Sequence, residues 1–230
     1  MMTMNLRKNN FLHRIDKEEV NKLPIAQFQG EVLIINNNKT LKSAVDYLKR
    51  QAFIGVDTET RPSFTKGVHY PTALLQMATE ERCYLFQLNK IGLPESVAEI
   101  FADENICKIG LAFKDDIHGL QRLTMFQPAN CIDIQKIVLQ YGILDLGLQK
   151  MFAIVYGRKI SKSQQLTNWD NNNLTDEQAR YASTDAWATL LIYKRLQKTE
   201  PLKEKEWRAL REYDIQLQVE HQQQVMAERQ

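Results

Sequence analysis

The chain has 230 residues, of which 43% are hydrophobic and 25% charged, and its formal net charge is +2 at pH 7. This length supports one sizeable hydrophobic core, and a nearly neutral charge neither requires nor excludes a nucleic-acid partner. No stretch approaches the ~20 apolar residues that cross a bilayer, and the N-terminus lacks the apolar centre of a secretory signal. The three cysteines stand singly, which argues against a zinc site or a disulfide framework. We therefore expect a cytoplasmic protein that does not associate with membranes.

Three regions differ in composition. Residues 1–30 mix charged residues with scattered apolar ones, and we expect a partly ordered N-terminal arm there. The segment 31–198 alternates β-rich runs with helical patterns and is predicted to form the folded domain. Residues 199–230 are polar and Gln-rich with a thin apolar stripe, which predicts a C-terminal helical tail that packs in part or binds a partner.

The middle region predicts an α/β fold in which helices cover a sheet. The expected strands are 31–36, 51–59, 72–79, 82–88, 106–113 and 130–134, and the expected helices lie near 39–50, 94–103, 115–124, 133–141, 145–154 and 175–197. The second, third and fourth strands are close enough in sequence to form an antiparallel meander.

Two acidic residues stand at the end of a strand that reads as buried, in the sequence FIGVDTET. Asp57 and Glu59 are two positions apart, so their side chains point to the same face of the strand. Burial of ionised groups is costly unless a positive charge meets them. The pair therefore suggests a bound cation, a basic partner, or a strand end that has reached solvent.

A second acidic pair begins a helix in KIGLAFKDDIHGLQRL. Asp116, Leu120 and Leu123 share one stripe of that helix, which predicts that Asp116 faces the core and Asp57 while Asp115 faces outward. For one of these two acids, capping of the helix is the simpler interpretation.

The longest predicted helix carries a third candidate. It starts at a Thr175 cap with Gln178 in the position of a capping box, and it places Tyr181 and Asp185 one turn apart on one face. Small residues beside this pair suggest that the face lies close to another element.

These three segments together resemble a known family. VDTET, GLAFKDDIHGL and YASTDAWATLLIY are similar to the three motifs of the DEDD superfamily of 3′-5′ exonucleases, in the subclass with Tyr in the third motif, which includes ribonuclease D and the Werner-type exonucleases. The segment KSQQLTNWDNNNLTDEQARYASTDAWA is especially similar to the Werner-type group. The resemblance covers roughly residues 31–197 and implies a ribonuclease H-like mixed sheet flanked by helices.

The resemblance also implies a catalytic site. It assigns catalytic and metal-binding roles to Asp57, Glu59, Asp116 and Asp185, which would hold two Mg²⁺ or Mn²⁺ ions, and it assigns the orientation of the attacking water to Tyr181. One departure is Ala112, which stands where many relatives carry Asn. The implied reaction is hydrolysis of phosphodiester bonds from the 3′ end of a nucleic acid, with release of nucleoside 5′-monophosphates.

Further residues are expected near the substrate. The resemblance puts the backbone around Thr58 and the side chain of Leu74 near the terminal nucleotide, while Lys162 could meet the nucleic-acid backbone. Trp169 could stack on a base or anchor its loop against the core. His69 lies in a loop that could contact phosphates, although a solvated loop is an equal alternative.

Several alternatives stay open. Similarity to the Werner-type group favours DNA over RNA as the substrate, and a ribonuclease D-like enzyme that processes RNA 3′ ends is the main alternative. A non-catalytic binding module on the same fold, a nucleotide phosphohydrolase and an endonuclease of the ribonuclease H type are others. The spacing of Tyr181 and Asp185 favours the exonuclease, since the endonucleases of this fold have no need of a tyrosine there.

Overall fold

The computed structural model describes residues 9–227, and a six-stranded mixed sheet lies at its centre. The strand order is β1-β4-β3-β2-β5-β6, and β3 runs antiparallel to both of its neighbours while the other adjacent pairs are parallel. The strands are β1 (Glu31–Ile35), β2 (Phe53–Thr60), β3 (Thr72–Ala78), β4 (Arg82–Gln87), β5 (Cys107–Gly110) and β6 (Cys131–Asp133). The predicted α/β sheet and its meander of β2, β3 and β4 are confirmed.

Helices cover both faces of the sheet. The helices of the described residues are α1 (Lys17–Lys22), α2 (Asn38–Leu48), α3 (Leu88–Ile91), α4 (Glu95–Ala102), α5 (Lys114–Gln121), α6 (Ile134–Val138), α7 (Leu148–Tyr156), α8 (Asp176–Leu196) and α9 (Glu204–Ala227). Side chains of α2, α4 and α5 pack on one face, and those of α6, α7 and α8 pack on the other. Within residues 9–227, no helix combines the length and the apolar character needed to cross a bilayer.

The structure differs from the sequence prediction at the ends of several elements. The fourth predicted strand stops one residue early because Leu88 begins α3, and the fifth stops at Gly110 before the turn into α5. The helix predicted over 133–141 changes to a 3₁₀ turn at Leu139–Tyr141, where Gly142 takes a φ of 76° and ends it. The sequence pattern also did not predict α1, which is six residues long.

A close approach between β2 and α8 positions the rest of the site. Gly55 faces α8, and a Cβ atom built at Gly55 would lie 2.1 Å from the carbonyl oxygen of Ala186. Because real Cβ atoms do not approach oxygen so closely, only glycine lets the helix rest directly on the strand. Residues two and four positions farther along β2 point to the same helix.

Segments on either side of the sheet region also pack against it. The Ala26 amide donates to the Lys159 carbonyl at 2.8 Å, and Phe28 is buried beside α8. At the other end, the Trp207 indole of α9 donates to the Leu139 carbonyl at 2.7 Å. The boundaries predicted at residues 31 and 198 therefore do not coincide with the limits of packing, and they stay a prediction.

Candidate active site

A cluster of carboxylates forms where β2 meets α8. Asp57 and Glu59 alternate with Thr58 along β2, so they share the face that α8 covers. Carboxylate oxygens of Asp57, Glu59 and Asp185 all lie within 4.8 Å of one another. Two predicted metal ligands from a strand and one from a helix thus come together in space.

The start of α8 is well defined, which fixes the position of Asp185. Thr175 caps the helix by accepting from the Gln178 amide at 3.1 Å, and the Gln178 side chain accepts from the Thr175 amide at 3.1 Å. Tyr181 and Asp185 follow one turn apart, and each is 8% exposed. The predicted capping box is confirmed.

Asp116 approaches the cluster from the opposite face of the sheet. It lies in the first turn of α5, and its Oδ1 accepts a hydrogen bond from the Thr58 hydroxyl. Asp116 is partly buried and Asp115 is exposed, in agreement with the orientation that the stripe predicted. The stripe itself ends at the buried Leu120, however. Leu123 lies beyond the end of α5 and is 37% exposed, so the prediction for that residue is wrong.

Burial raises the pKa of all four acids, and the charges of neighbouring acids of the cluster add to this at Asp57 and Glu59. Burial, followed by the charges of the other three acids, holds the pKa of Asp57 well above its usual range. Burial and the charges of Asp185 and Asp116 raise the pKa of Glu59 to about 9. Burial raises the pKa of Asp116 to about 6, although the Thr58 hydroxyl lowers it.

Asp185 shows most directly that the cluster suits a cation. Its Oδ1 is buried and has no hydrogen-bond partner among the described residues. Burial raises the pKa of Asp185 to about 7, while the Tyr181 hydroxyl and the charge of Lys162 lower it. A set of ligands made only of carboxylate oxygens suits a hard divalent ion such as Mg²⁺ or Mn²⁺ better than Zn²⁺. The residues therefore fit the metal ions that the resemblance implies.

The Tyr181 side chain borders the cluster as a neutral hydroxyl. Burial, with the neighbouring charges of Asp185 and Glu59, raises the pKa of Tyr181 above its usual range. The ring lies 5.9 Å from the Trp169 ring between centroids, with the planes at 39°. Tyr181 is therefore held by packing and keeps its proton at physiological pH.

Two of the residues expected to contact substrate are in the core. Trp169 is 1% exposed and packs with Tyr181 and α8, so its indole has no face open to a base, and the alternative that it anchors its loop is correct. Leu74 pairs with Glu59 across the sheet and is 0% exposed, so its side chain presents no surface to a ligand, and its place near the terminal nucleotide stays a prediction. Lys162 is exposed near Asp185. The Thr58 hydroxyl donates its hydrogen bond to Asp116.

Two openings flank the cluster. A groove of about 610 Å³ beside Thr58 and Asp116 is also lined by His69, His118 and Arg122. On the other side of Tyr181, a pocket of about 160 Å³ is lined by residues that include Gln27, Ser161, Ser163 and Arg180. The sequence analysis did not identify Arg122 or Arg180 as residues near the site. The one sequence signal for Arg180 was its position directly before Tyr181. Asp116 thus lines the groove, and Tyr181 lines the pocket.

The chain matches the model of a 3′-5′ exonuclease family over residues 32–200. The chain belongs to this DEDD family of 3′-5′ exonucleases. Among its relatives is the mouse bifunctional 3′-5′ exonuclease/ATP-dependent helicase WRN, which is 29% identical over 152 residues that make up 62% of this chain and 11% of the relative.

Solved structures of DEDD exonucleases share the ribonuclease H-like fold. The EXO domain of Aedes aegypti Nibbler superposes with a TM-score of 0.67 at 22% identity, covering 87% of this chain and 99% of that domain. Escherichia coli RNase D superposes with a TM-score of 0.64 at 24% identity, covering 73% of this chain and 44% of RNase D. This chain spans from 11% to 52% of the length of the first few relatives that it matches in sequence.

Proposed function

We propose that this DEDD-family chain is a metal-dependent enzyme that removes nucleotides one at a time from the 3′ end of a nucleic acid and releases nucleoside 5′-monophosphates. The observation that carries this proposal is the approach of the Asp57, Glu59 and Asp185 oxygens to within 4.8 Å of one another. Such a cluster needs positive charge in order to stay ionised.

The proposed cofactor is a pair of Mg²⁺ or Mn²⁺ ions held by Asp57, Glu59, Asp116 and Asp185. When bound, the ions activate water by lowering its pKa and neutralise charge on the departing 3′ oxygen. The unpartnered Asp185 Oδ1 and the oxygen-only ligand set support this assignment.

Protein side chains would perform the rest of the reaction. The neutral Tyr181 hydroxyl can donate and accept hydrogen bonds, so it would orient the attacking water without losing its own proton. Thr58 would hold Asp116 in place through the hydroxyl contact. The Lys162 ammonium would contact the nucleic-acid backbone, and its charge would favour the ionised form of Asp185.

We place DNA ahead of RNA as the substrate, on the basis of the similarity to the Werner-type exonucleases. The second candidate is a 3′ end of RNA. It is supported by the structural likeness to RNase D, which is described as an exoribonuclease involved in structured RNA processing. Because the same acids and ions serve both reactions, the choice depends on contacts to the sugar and bases.

A cleavage assay tests the proposal directly. The purified 230-residue protein is incubated with 5′-labelled DNA and RNA oligonucleotides of matched sequence, single-stranded or with recessed 3′ ends, in Mg²⁺, Mn²⁺ or EDTA. We expect a ladder that shortens by one nucleotide at a time with metal and no cleavage in EDTA. Faster shortening of DNA than of RNA would support the proposed preference, and the reverse would favour the second candidate.

The control is Asp57→Asn purified in parallel, which separates the activity of this site from that of a contaminating nuclease. A ladder of equal intensity from this variant, or cleavage that persists in chelator, would contradict the proposed site.

A further inference from the structure

Gln76 of β3 is a buried polar residue without a partner. Its exposed fraction is 0%, and neither Nε2 nor Oε1 has a hydrogen-bond partner among the described residues. Buried amides in native proteins are almost always paired, because an unpaired buried donor or acceptor destabilises the fold. A polar side chain at this position therefore needs an explanation other than packing.

The register of the sheet places Gln76 directly opposite Asp57. Residues directly opposite each other in an antiparallel pair point to the same face, with Cβ atoms roughly 4.5–5.5 Å apart. The other adjacent positions on this face are apolar, with Leu74 and Ala78 along β3 and Leu85 across on β4. Asp57 is the polar side chain that stands directly opposite the Gln76 amide, while Glu59 and Gln87 occupy diagonal positions on the same face.

Asp57 is also one of the three acids whose carboxylate oxygens lie within 4.8 Å of one another. A cation at the cluster would favour the carboxylate, which is a strong acceptor. A neutral amide could then stabilise the anion without competing with the cation, whereas a lysine or arginine would neutralise it.

We propose that Gln76 is a positioning residue, whose Nε2 donates a hydrogen bond to the ionised Asp57 carboxylate and fixes its orientation for metal binding. This role rests on the proposed function, because it requires a divalent ion at the acidic cluster. Residues that orient metal-ligating carboxylates typically change metal affinity about 10–100-fold when they are replaced. Gln76 would thus contribute to affinity through Asp57 and would not itself touch the ion.

The test replaces Gln76 by Met, which has a similar length and volume but no donor. Mn²⁺ is titrated into full-length protein, and free Mn²⁺ is measured by electron paramagnetic resonance. We expect the Kd for Mn²⁺ to rise about 10–100-fold. The melting temperature in EDTA should stay equal or rise by about 2–4 °C, since two unpaired buried atoms are removed. A merely structural residue would not weaken metal binding while leaving the metal-free fold intact.

Leu85→Met is the matched control, because Leu85 is also fully buried and lies opposite Gln76 on the same face. It should retain the wild-type Kd for Mn²⁺. If Gln76→Met does not fold, Gln76→Leu provides the same two measurements. A wild-type Kd in a folded Gln76 variant would overturn the role of Gln76 and leave the proposed function intact. Wild-type protein that binds no Mn²⁺ would overturn both.

Discussion

The Thr58 hydroxyl donates a hydrogen bond to Asp116 Oδ1, and this contact joins the end of β2 to the first turn of α5. The Thr58 side chain points away from α8, so it meets Asp116 on the face of the sheet that α5 covers. The bond therefore ties an acid of the helix on one face to a strand whose acids lie on the other.

Replacement of Thr58 by Val should shift the titration of Asp116. The hydroxyl lowers the pKa of Asp116, which stands at about 6, so its removal should raise that pKa. The measurement is a carbon-detected NMR titration of the Asp116 carboxyl in EDTA. Thr60→Val is the control, because Thr60 is exposed at the end of β2. An unchanged pKa in Thr58→Val would show that the contact does not persist in solution.

Asp57→Asn should abolish cleavage without unfolding the protein. We expect the cleavage rate to fall at least ~10³-fold, since the substitution removes the negative charge of a proposed metal ligand. The free energy of unfolding in EDTA at pH 8 should be equal to or higher than that of wild type, because one member of a repelling cluster is neutralised. Circular dichroism during urea unfolding measures it. A clear loss of stability would assign Asp57 a structural role.

The metal-free protein should lose stability as the pH rises. The pKa values of Asp116 at about 6, Asp185 at about 7 and Glu59 at about 9 are all raised above those of free side chains. The folded state therefore holds protons that the unfolded state has released. Stability from these groups is complete at low pH and is lost as the pH passes through the three values.

Urea unfolding in EDTA at pH 6, 7, 8 and 9 checks this sign. Glu59→Gln should flatten the decline above pH 7, and added Mg²⁺ or Mn²⁺ should stabilise the wild type more at pH 8 than at pH 6. A free energy of unfolding that rises from pH 6 to pH 9 in EDTA would contradict the described burial of the acids.

Tyr181→Phe should slow turnover about 10²-fold with little change in KM, because the hydroxyl would act on water and not on substrate binding. Tyr193→Phe is a matched control on the same helix. Tyr193 is also buried, but it belongs to the hydrophobic cluster that packs on β5. Its hydroxyl accepts a hydrogen bond from Gln197 and not from a residue of the acidic cluster. Steady-state kinetics of both variants decide the matter, and wild-type kcat in Tyr181→Phe would remove the hydroxyl from the mechanism.

Lys162→Ala should raise KM and make cleavage less sensitive to salt. One phosphate contact fewer lowers the slope of log affinity against log salt by about 1. The same change should raise the pKa of Asp185 above about 7, because the Lys162 charge lowers it. Lys42→Ala on α2, where Lys42 pairs with Asp46, should leave both properties unchanged. An identical salt slope in Lys162→Ala would exclude the backbone contact.

Local sequence patterns predicted most of the strands and the start of the longest helix of the folded domain. The strands of the sheet are short apolar runs, and their order along the chain was readable because hydrophobic periodicity is a local property. The start of α8 was predictable for the same reason, since the side chains of Thr175 and Gln178 each accept a hydrogen bond from the other's backbone amide. The orientation of Asp116 was predictable as well, because it depends only on neighbouring positions along α5.

Properties that depend on distant contacts were harder to predict. Trp169 lies in the segment before the third motif and Leu74 lies on the strand beside β2, but α8 and the neighbouring strands bury both side chains. The stripe on α5 failed at Leu123 because the helix stops at Gln121. The relation of Gln76 to Asp57 depends on strand register, which the hydrophobic pattern of β3 could not define because every residue of that strand is buried.

Gly55 has only a hydrogen atom as its side chain, and this determines the distance between β2 and α8, and with it the spacing of the acids. An ordinary side chain there would displace α8 from β2, and Asp185 would move with the helix while Asp57 and Glu59 stayed with the strand. A shift between the strand and the helix would therefore separate carboxylate oxygens that lie within 4.8 Å of one another. The acids supply the charge of the site, and Gly55 determines how far apart they stand.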